Sequence, residues 1–177
     1  MSFDPNRHHR RSIRLQNYDY RRAGAYFVTL CTFGRECIFG EIIGEQVKLS
    51  PMGEIIRDEW LRTEALRPNV ELDAYVIMPN HLHGIIVITD EISTAEPDFR
   101  AAFSHVPANS LATIIGSFKS AATRSVNRYR QTEGSIWQRN YWEHVIRNAH
   151  DLERIQGYIA ANPQRWASDR LFPHHPS

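Results

Sequence analysis

Cysteine is scarce. The 177 residues contain two, Cys31 and Cys37, too few to staple a secreted scaffold and in keeping with a reducing compartment. Long hydrophobic runs are missing too: the longest, around residues 85–88, falls far below the roughly 20 residues that a membrane span needs. The opening MSFDPNRHHRRS is charged, with no apolar stretch behind it before Gly24, so no secretory signal and a cytoplasmic location are expected. Internal repeats and low-complexity tracts are absent, which argues against a solenoid or a disordered linker protein. What remains is a chain with 42% apolar residues. At this length one compact domain buries roughly 70% of the surface its unfolded form exposes, without a disulfide or a structural metal.

Charge is balanced overall, 21 basic against 20 acidic side chains, yet unevenly distributed. Residues 1–22 sum to +4, residues 23–99 to −8 and residues 100–177 to +5. A basic N-terminal arm (1–22) and a basic C-terminal half can thus form a face for a polyanion while the middle stays acidic. The rest, 23–177, reads as a single catalytic domain with one loop insertion at 89–108, where acids, Pro97 and Pro107 interrupt all periodicity.

Residues 25–33 (AYFVTLCTF), 70–78 (VELDAYVIM) and 82–89 (LHGIIVIT) read as strands, rich in β-branched and aromatic residues. IFGEIIGEQVKLS offers two short strands around Gly44-Glu45, a hairpin, leading into a helix with Ser50 as cap, Pro51 at its first position and Ile55, Ile56, Trp60 and Leu61 as its apolar stripe. Leu111, Ile114, Ile115, Phe118, Ala122 and Val126 define a second, basic amphipathic helix. YWEHVI (141–146) reads as a short strand and residues 151–161 as a last helix stopped by Pro163. The order β, hairpin, α, β, β, α, β, α predicts an α+β fold, an antiparallel sheet of the ferredoxin-like or RRM-like kind with helices packed on it.

The sharpest local feature is Pro79-Asn80-His81-Leu82-His83 at the start of an apolar strand. Residues two apart on a strand point to one face, so both imidazoles project together, as half of a divalent-metal site would require. An HxH pair alone is equally the polar start of a half-exposed strand. In the last helix Tyr158 and Asn162 stand four apart, with Arg154 one turn earlier on the same side. Gly157 beside them costs a helix about 1 kcal/mol relative to alanine. Tyr158 alone reads equally as a core tyrosine with a satisfied hydroxyl.

Three ordered motifs, YVIMPNHLH (75–83), SIWQRNYWEHVIRN (135–148) and DLERIQGYIAANP (151–163), resemble the single-tyrosine HUH transposase family, and more narrowly its REP-associated tyrosine transposase branch. The likeness spans about residues 11–166. It implies a metal-dependent enzyme that cleaves and rejoins single-stranded, hairpin-bearing DNA through a 5′-phosphotyrosine intermediate. By position, His81 and His83 are the HUH pair, Tyr158 is the nucleophile, and Asn162 stands where the third metal ligand belongs, the ion being Mg2+ or Mn2+. Many insertion-element relatives have glutamine there, whereas the REP-associated branch resembles this chain in having asparagine. No tyrosine lies four residues beyond Tyr158, so the two-tyrosine rolling-circle class is not matched. The resemblance leaves both a monomer and a homodimer open, and no membrane partner is implied.

DNA contacts are expected from Arg7, Arg10, Arg11, Arg14, Lys119, Arg124, Arg128, Arg139, Arg147 and Arg154 to phosphates, and from Trp137, Tyr141 or Trp142 to unpaired bases. The competing reading is a binding module of the same fold that holds hairpin nucleic acid without cutting it. A zinc site joining Cys31 and Cys37 to the histidines has an unusual spacing.

Overall fold

A computed structural model describes residues 23–89 and 110–173. Arg7, Arg10, Arg11 and Arg14, and the expected insertion beyond residue 89, lie outside the described residues. The elements follow the predicted order: β1 (Gly24–Cys31), β2 (Gly40–Ile43), β3 (Gln46–Leu49), α1 (Pro51–Ala65), β4 (Val70–Met78), β5 (His81–Ile88), α2 (Leu111–Arg130), β6 (Trp142–Ile146) and α3 (Ala149–Ala161). Four strands form one sheet in the order β4-β5-β1-β6, every neighbouring pair antiparallel. With the β2–β3 hairpin set aside, this is the β-α-β-β-α-β arrangement of a ferredoxin-like fold.

Strand alternation divides the sheet between two cores. Tyr26, Val28 and Leu30 of β1 and Leu82, Ile86 and Ile88 of β5 join Ile56 and Trp60 of α1 and the α2 stripe from Leu111 to Val126 in the larger one. On the opposite face Phe27 and Ile85 meet Ile155 and Ile159 of α3 in a smaller one. Gly84 belongs to the first face, and a Cβ added there would stand 2.4 Å from a ring carbon of Trp60, so only glycine lets the indole lie flat against β5.

Local chemistry explains the boundaries. Ser50 Oγ accepts from the Gly53 N–H (3.1 Å) ahead of Pro51, as the sequence predicts. Asn148 caps α3 through the Asp151 N–H (2.8 Å), so this helix starts two residues before its predicted position. Gly44 and Glu45 both take positive φ (53° and 66°), the two-residue turn that suits a twisted hairpin. One expected DNA contact is corrected by the fold. Trp137 is only 2% exposed, with its ring packed against Phe39 and Phe118, and is not available to stack on a base. Among the described residues no helix is long and apolar enough to cross a membrane.

Candidate functional site

The β4–β5 connection is the two residues Pro79-Asn80, held from both ends. The Pro79 carbonyl accepts from the Phe39 N–H (2.9 Å), and the Asn80 carbonyl from the Thr32 N–H and hydroxyl (2.9 and 3.1 Å). Asn80 Nδ2 donates to the carbonyls of Leu171 (2.8 Å) and Arg35 (3.2 Å). These two bonds fix the amide orientation, so Asn80 Oδ1 is an acceptor and His81 Nδ1, 2.8 Å away, must carry the proton. Burial holds the His81 ring neutral, at a pKa of about 4 despite the opposing pull of Asp169 and the nearby Asn162 side chain. A neutral ring protonated on Nδ1 has a bare lone pair on Nε2. That atom is buried and without a hydrogen-bond partner.

His83 stands beside it, the ring centroids 4.5 Å apart. Its Nδ1 meets Thr29 Oγ1 (2.8 Å) and its Nε2 meets the Tyr158 hydroxyl (3.2 Å). Burial, with His81 and Arg170 in support, pushes its pKa well below the usual histidine range. The expected convergence of the HxH pair and the helical tyrosine is therefore realised within one chain.

Three polar ties seat α3. The His144–Asp151 contact (2.8 Å) reaches β6, Gln156 Nε2 reaches both oxygens of Asp73 on β4 (2.9 and 3.1 Å), and Tyr158 reaches His83 on β5. Tyr158 stays 37% exposed, edge-on to Phe27. Burial and Asp169 raise its pKa, while the neighbouring Asn162 side chain and Arg170 oppose the rise.

Asp169 is the residue that sequence reasoning missed. It lies beyond the 3-10 turn Pro163–Ser168, and His81, His83 and Asp169 offer ligand atoms that all lie within 4.8 Å of one another. Its Oδ1 accepts from the Leu171 N–H (2.6 Å), and its Oδ2 lies 3.4 Å from Asn162 Nδ2. Asn162 is almost fully buried, and its Oδ1 has no hydrogen-bond partner. Two imidazole nitrogens, a carboxylate and an unpartnered amide oxygen fit a divalent ion, and the orphaned His81 Nε2 is the observation that a ligand would explain. Neither cysteine joins this group.

The tyrosine opens into a cleft of about 450 Å3 lined by Trp142, His144, Arg154, Arg165 and Arg170, among others. Of the expected DNA contacts, Trp142 and Arg154 are brought to it. Arg124 and Arg128 lie on α2, across the sheet, and Arg147 follows β6, outside the cleft lining. Lys119 Nζ donates to the backbone carbonyls of Gln138 (2.5 Å) and Arg139 (3.2 Å), holding the loop before β6, and Arg139 lines a separate shallow hollow with it. Thr29, Asn80 and Arg170 join the site without an advance signal of their own, although Asn80 stands next to the motif that drew attention.

No family model matches the chain. A Haemophilus influenzae protein of unknown character is 39% identical over 170 residues, 93% of this chain and 94% of that one. A second protein of the same organism, provisionally named a REP-associated tyrosine transposase, is 25% identical over 152 residues, covering 84% of this chain and 76% of its own length. A solved REP-associated tyrosine transposase bound to a REP hairpin shares the fold, with a TM-score of 0.59 and 22% identity over 86% of this chain and 73% of that one. An antiparallel four-stranded sheet that presents a histidine pair to a helical tyrosine agrees with the resemblance that the sequence motifs carry. By sequence the chain is similar to REP-associated tyrosine transposases, and it shares the fold of a solved one.

Proposed function

We propose that the chain is a metal-dependent single-tyrosine endonuclease and strand transferase acting on hairpin-bearing single-stranded DNA in the cytoplasm. The observation that carries this reading is the Tyr158 hydroxyl, 3.2 Å from His83 Nε2 at the mouth of an arginine-lined cleft. A phenol of pKa about 10 is ionised to roughly one part in a thousand at neutral pH, a deficit of about 4 kcal/mol, and burial here adds to it. Asn162 and Arg170 favour the phenolate. The His83 Nδ1–H donates to Thr29 Oγ1, which leaves its Nε2 lone pair as the ligand, and the phenol proton passes to water at the open mouth of the cleft, where Tyr158 is 37% exposed.

The phenolate oxygen attacks a backbone phosphorus in line. The new bond is Tyr158 O–P, the bond that breaks is P–O3′, and the products are a 5′-phosphotyrosine and a free 3′-hydroxyl. One ester replaces another, so a 3′-hydroxyl of a second end reverses the step and joins strands without nucleotide hydrolysis. This agrees with the lack of a Walker loop in the sequence. His81, His83 and Asp169, with the Asn162 carbonyl beside them, would hold the metal, which when bound supplies positive charge to the phosphate oxygens. Arg154, Arg165 and Arg170 orient the phosphates, and Trp142 offers a stacking face.

The test is incubation with hairpin-bearing single strands and Mg2+ or Mn2+, followed by a denaturing gel for a covalent protein–DNA adduct. The wild type forms the adduct, and Tyr158→Phe loses it while still binding DNA. Equal adduct formation by the variant overturns the role of Tyr158. Binding without an adduct from the wild type identifies a hairpin-binding module instead.

A further inference from the structure

Strand cleavage needs a proton at its far end. As the P–O3′ bond breaks, the 3′-oxygen leaves as an alkoxide unless an acid meets it, and the two buried histidines hold their only N–H groups on Asn80 and Thr29. A third histidine borders the same cleft. His144 of β6 pairs in register with Phe27 of β1, whose ring lies edge-on to Tyr158 (centroids 6.0 Å apart), so the imidazole stands one strand outward from the nucleophile on the α3 face.

Its orientation follows from its partner. Asp151 Oδ2 meets His144 Nε2 (2.8 Å) and Asp151 Oδ1 accepts from Arg154 (2.5 Å), and these two bonds hold the carboxyl at a pKa of about 2. An ionised carboxylate only accepts, so His144 Nε2 carries a proton and Nδ1 is the nitrogen left over. Nδ1 has no hydrogen-bond partner among the described residues. The ring lies parallel to that of Trp142 (6° between planes, centroids 6.1 Å apart) while the side chain stays 37% exposed, which fixes its plane and leaves it open to a strand in the cleft. The other ionisable groups lining this cleft are Arg154 and Tyr158 on α3 and Arg165, Asp169 and Arg170 beyond it, whereas β1 contributes only Phe27 and Thr29. A carboxylate behind one ring nitrogen and a free edge at the other is the arrangement of a proton shuttle, because the carboxylate orients the ring and stabilises the imidazolium.

We infer that His144 is the general acid of the cleavage step, oriented by Asp151. The imidazolium gives its Nδ1 proton to O3′ as the P–O3′ bond breaks, which yields the free 3′-hydroxyl and a neutral ring. In the joining step the neutral Nδ1 takes a proton from the incoming 3′-hydroxyl as its oxygen bonds to phosphorus and the Tyr158 oxygen leaves. The inference rests on the strand-cleavage reading above, which it deepens.

The probes are two hairpin-bearing single strands of one sequence. One has an ordinary scissile phosphodiester, and the other carries sulfur in place of the bridging 3′-oxygen at the cleavage position mapped on the first, so that its leaving thiolate departs without a proton. Adduct formation with Mn2+ is timed for the wild type, His144→Gln and His144→Ala. The glutamine amide still donates to Asp151 and keeps α3 seated, yet it has no proton to transfer. Both variants slow cleavage of the oxygen strand by roughly 10²–10⁴-fold and cleave the sulfur strand at close to the wild-type rate. Asp151→Asn shows the same split between the strands, smaller in size. An equal loss on both strands in the glutamine variant, or no loss on the oxygen strand, overturns the role of His144 and leaves cleavage by Tyr158 standing. No adduct from the wild type on either strand overturns the cleavage reading, and the acid role falls with it.

Discussion

Replacing Asp169 with asparagine tests whether the carboxylate completes a metal site. The substitution preserves shape and an acceptor for the Leu171 N–H, which the native Oδ1 meets at 2.6 Å. Metal-free stability therefore changes by no more than about 1 kcal/mol. What is lost is the negative charge beside two neutral imidazoles whose ligand atoms lie within 4.8 Å of it. At a Mn2+ concentration a hundredfold above the dissociation constant, binding stabilises the wild type by about 2.7 kcal/mol. For a chain of this size that raises the melting temperature by about 5–10 °C. A tenfold weaker site cuts the gain to about 1.4 kcal/mol at the same concentration, which is about half the shift. The assay is a thermal melt of each protein across a Mn2+ titration, without DNA. A full wild-type shift in Asp169→Asn, together with its loss in Asn162→Ala, would refute the argument and make the amide oxygen the third ligand.

The histidine environment gives a pH prediction with a definite sign. His81 has a pKa of about 4 in the folded chain against an ordinary 6.5, so between these values the unfolded chain binds a proton that the folded one does not. Metal-free stability is full above about pH 6.5 and falls by up to about 3 kcal/mol as the pH drops toward 4. Urea melts that stay level across this window would reject the buried neutral ring. Gly84→Ala places a methyl 2.4 Å from the Trp60 ring and should cost about 1–3 kcal/mol in the same melts. An unchanged midpoint would mean that the indole moves freely, against the close packing inferred from its full burial.

The fold was largely legible because each element has a local cause. Alternation marks β1, β4 and β5, apolar spacing marks α2, and Ser50-Pro51 marks the start of α1. The boundaries of α3 slipped because its cap is Asn148, two residues ahead of the helical stripe that begins at Leu152. Trp137 was misplaced because an aromatic in a polar stretch looks the same whether it stacks on a base or plugs the gap between Phe39 and Phe118. Within the site, His81 and His83 follow from strand period and Tyr158 from family likeness. Asp169 follows from neither. It sits in an irregular tail whose path is set by distant contacts, Asn80 to the Leu171 carbonyl and Arg35 to the Arg170 carbonyl (3.3 Å), and no sequence period encodes such a path.

The larger core settles which way the chemistry faces. Leu82 and Ile86 must point to α1 and α2, and Gly84 must lie under Trp60, which leaves the intervening His81, His83 and Ile85 no direction but toward α3. A one-residue slip of β5 would put both imidazoles into the apolar layer and expose the leucine and isoleucines, so burial on the far side of the sheet holds the histidine register. The cost of burying two imidazoles is met partly by their Nδ1 partners, Asn80 and Thr29, and leaves the Nε2 of His81 bare and that of His83 turned to Tyr158. The same alternation on β1 and β6 brings Thr29 and Trp142 into register as paired residues on the α3 face, where they line the cleft that holds Tyr158. The cleft of the nucleophile is thus built on the face of the sheet that the main hydrophobic core does not use.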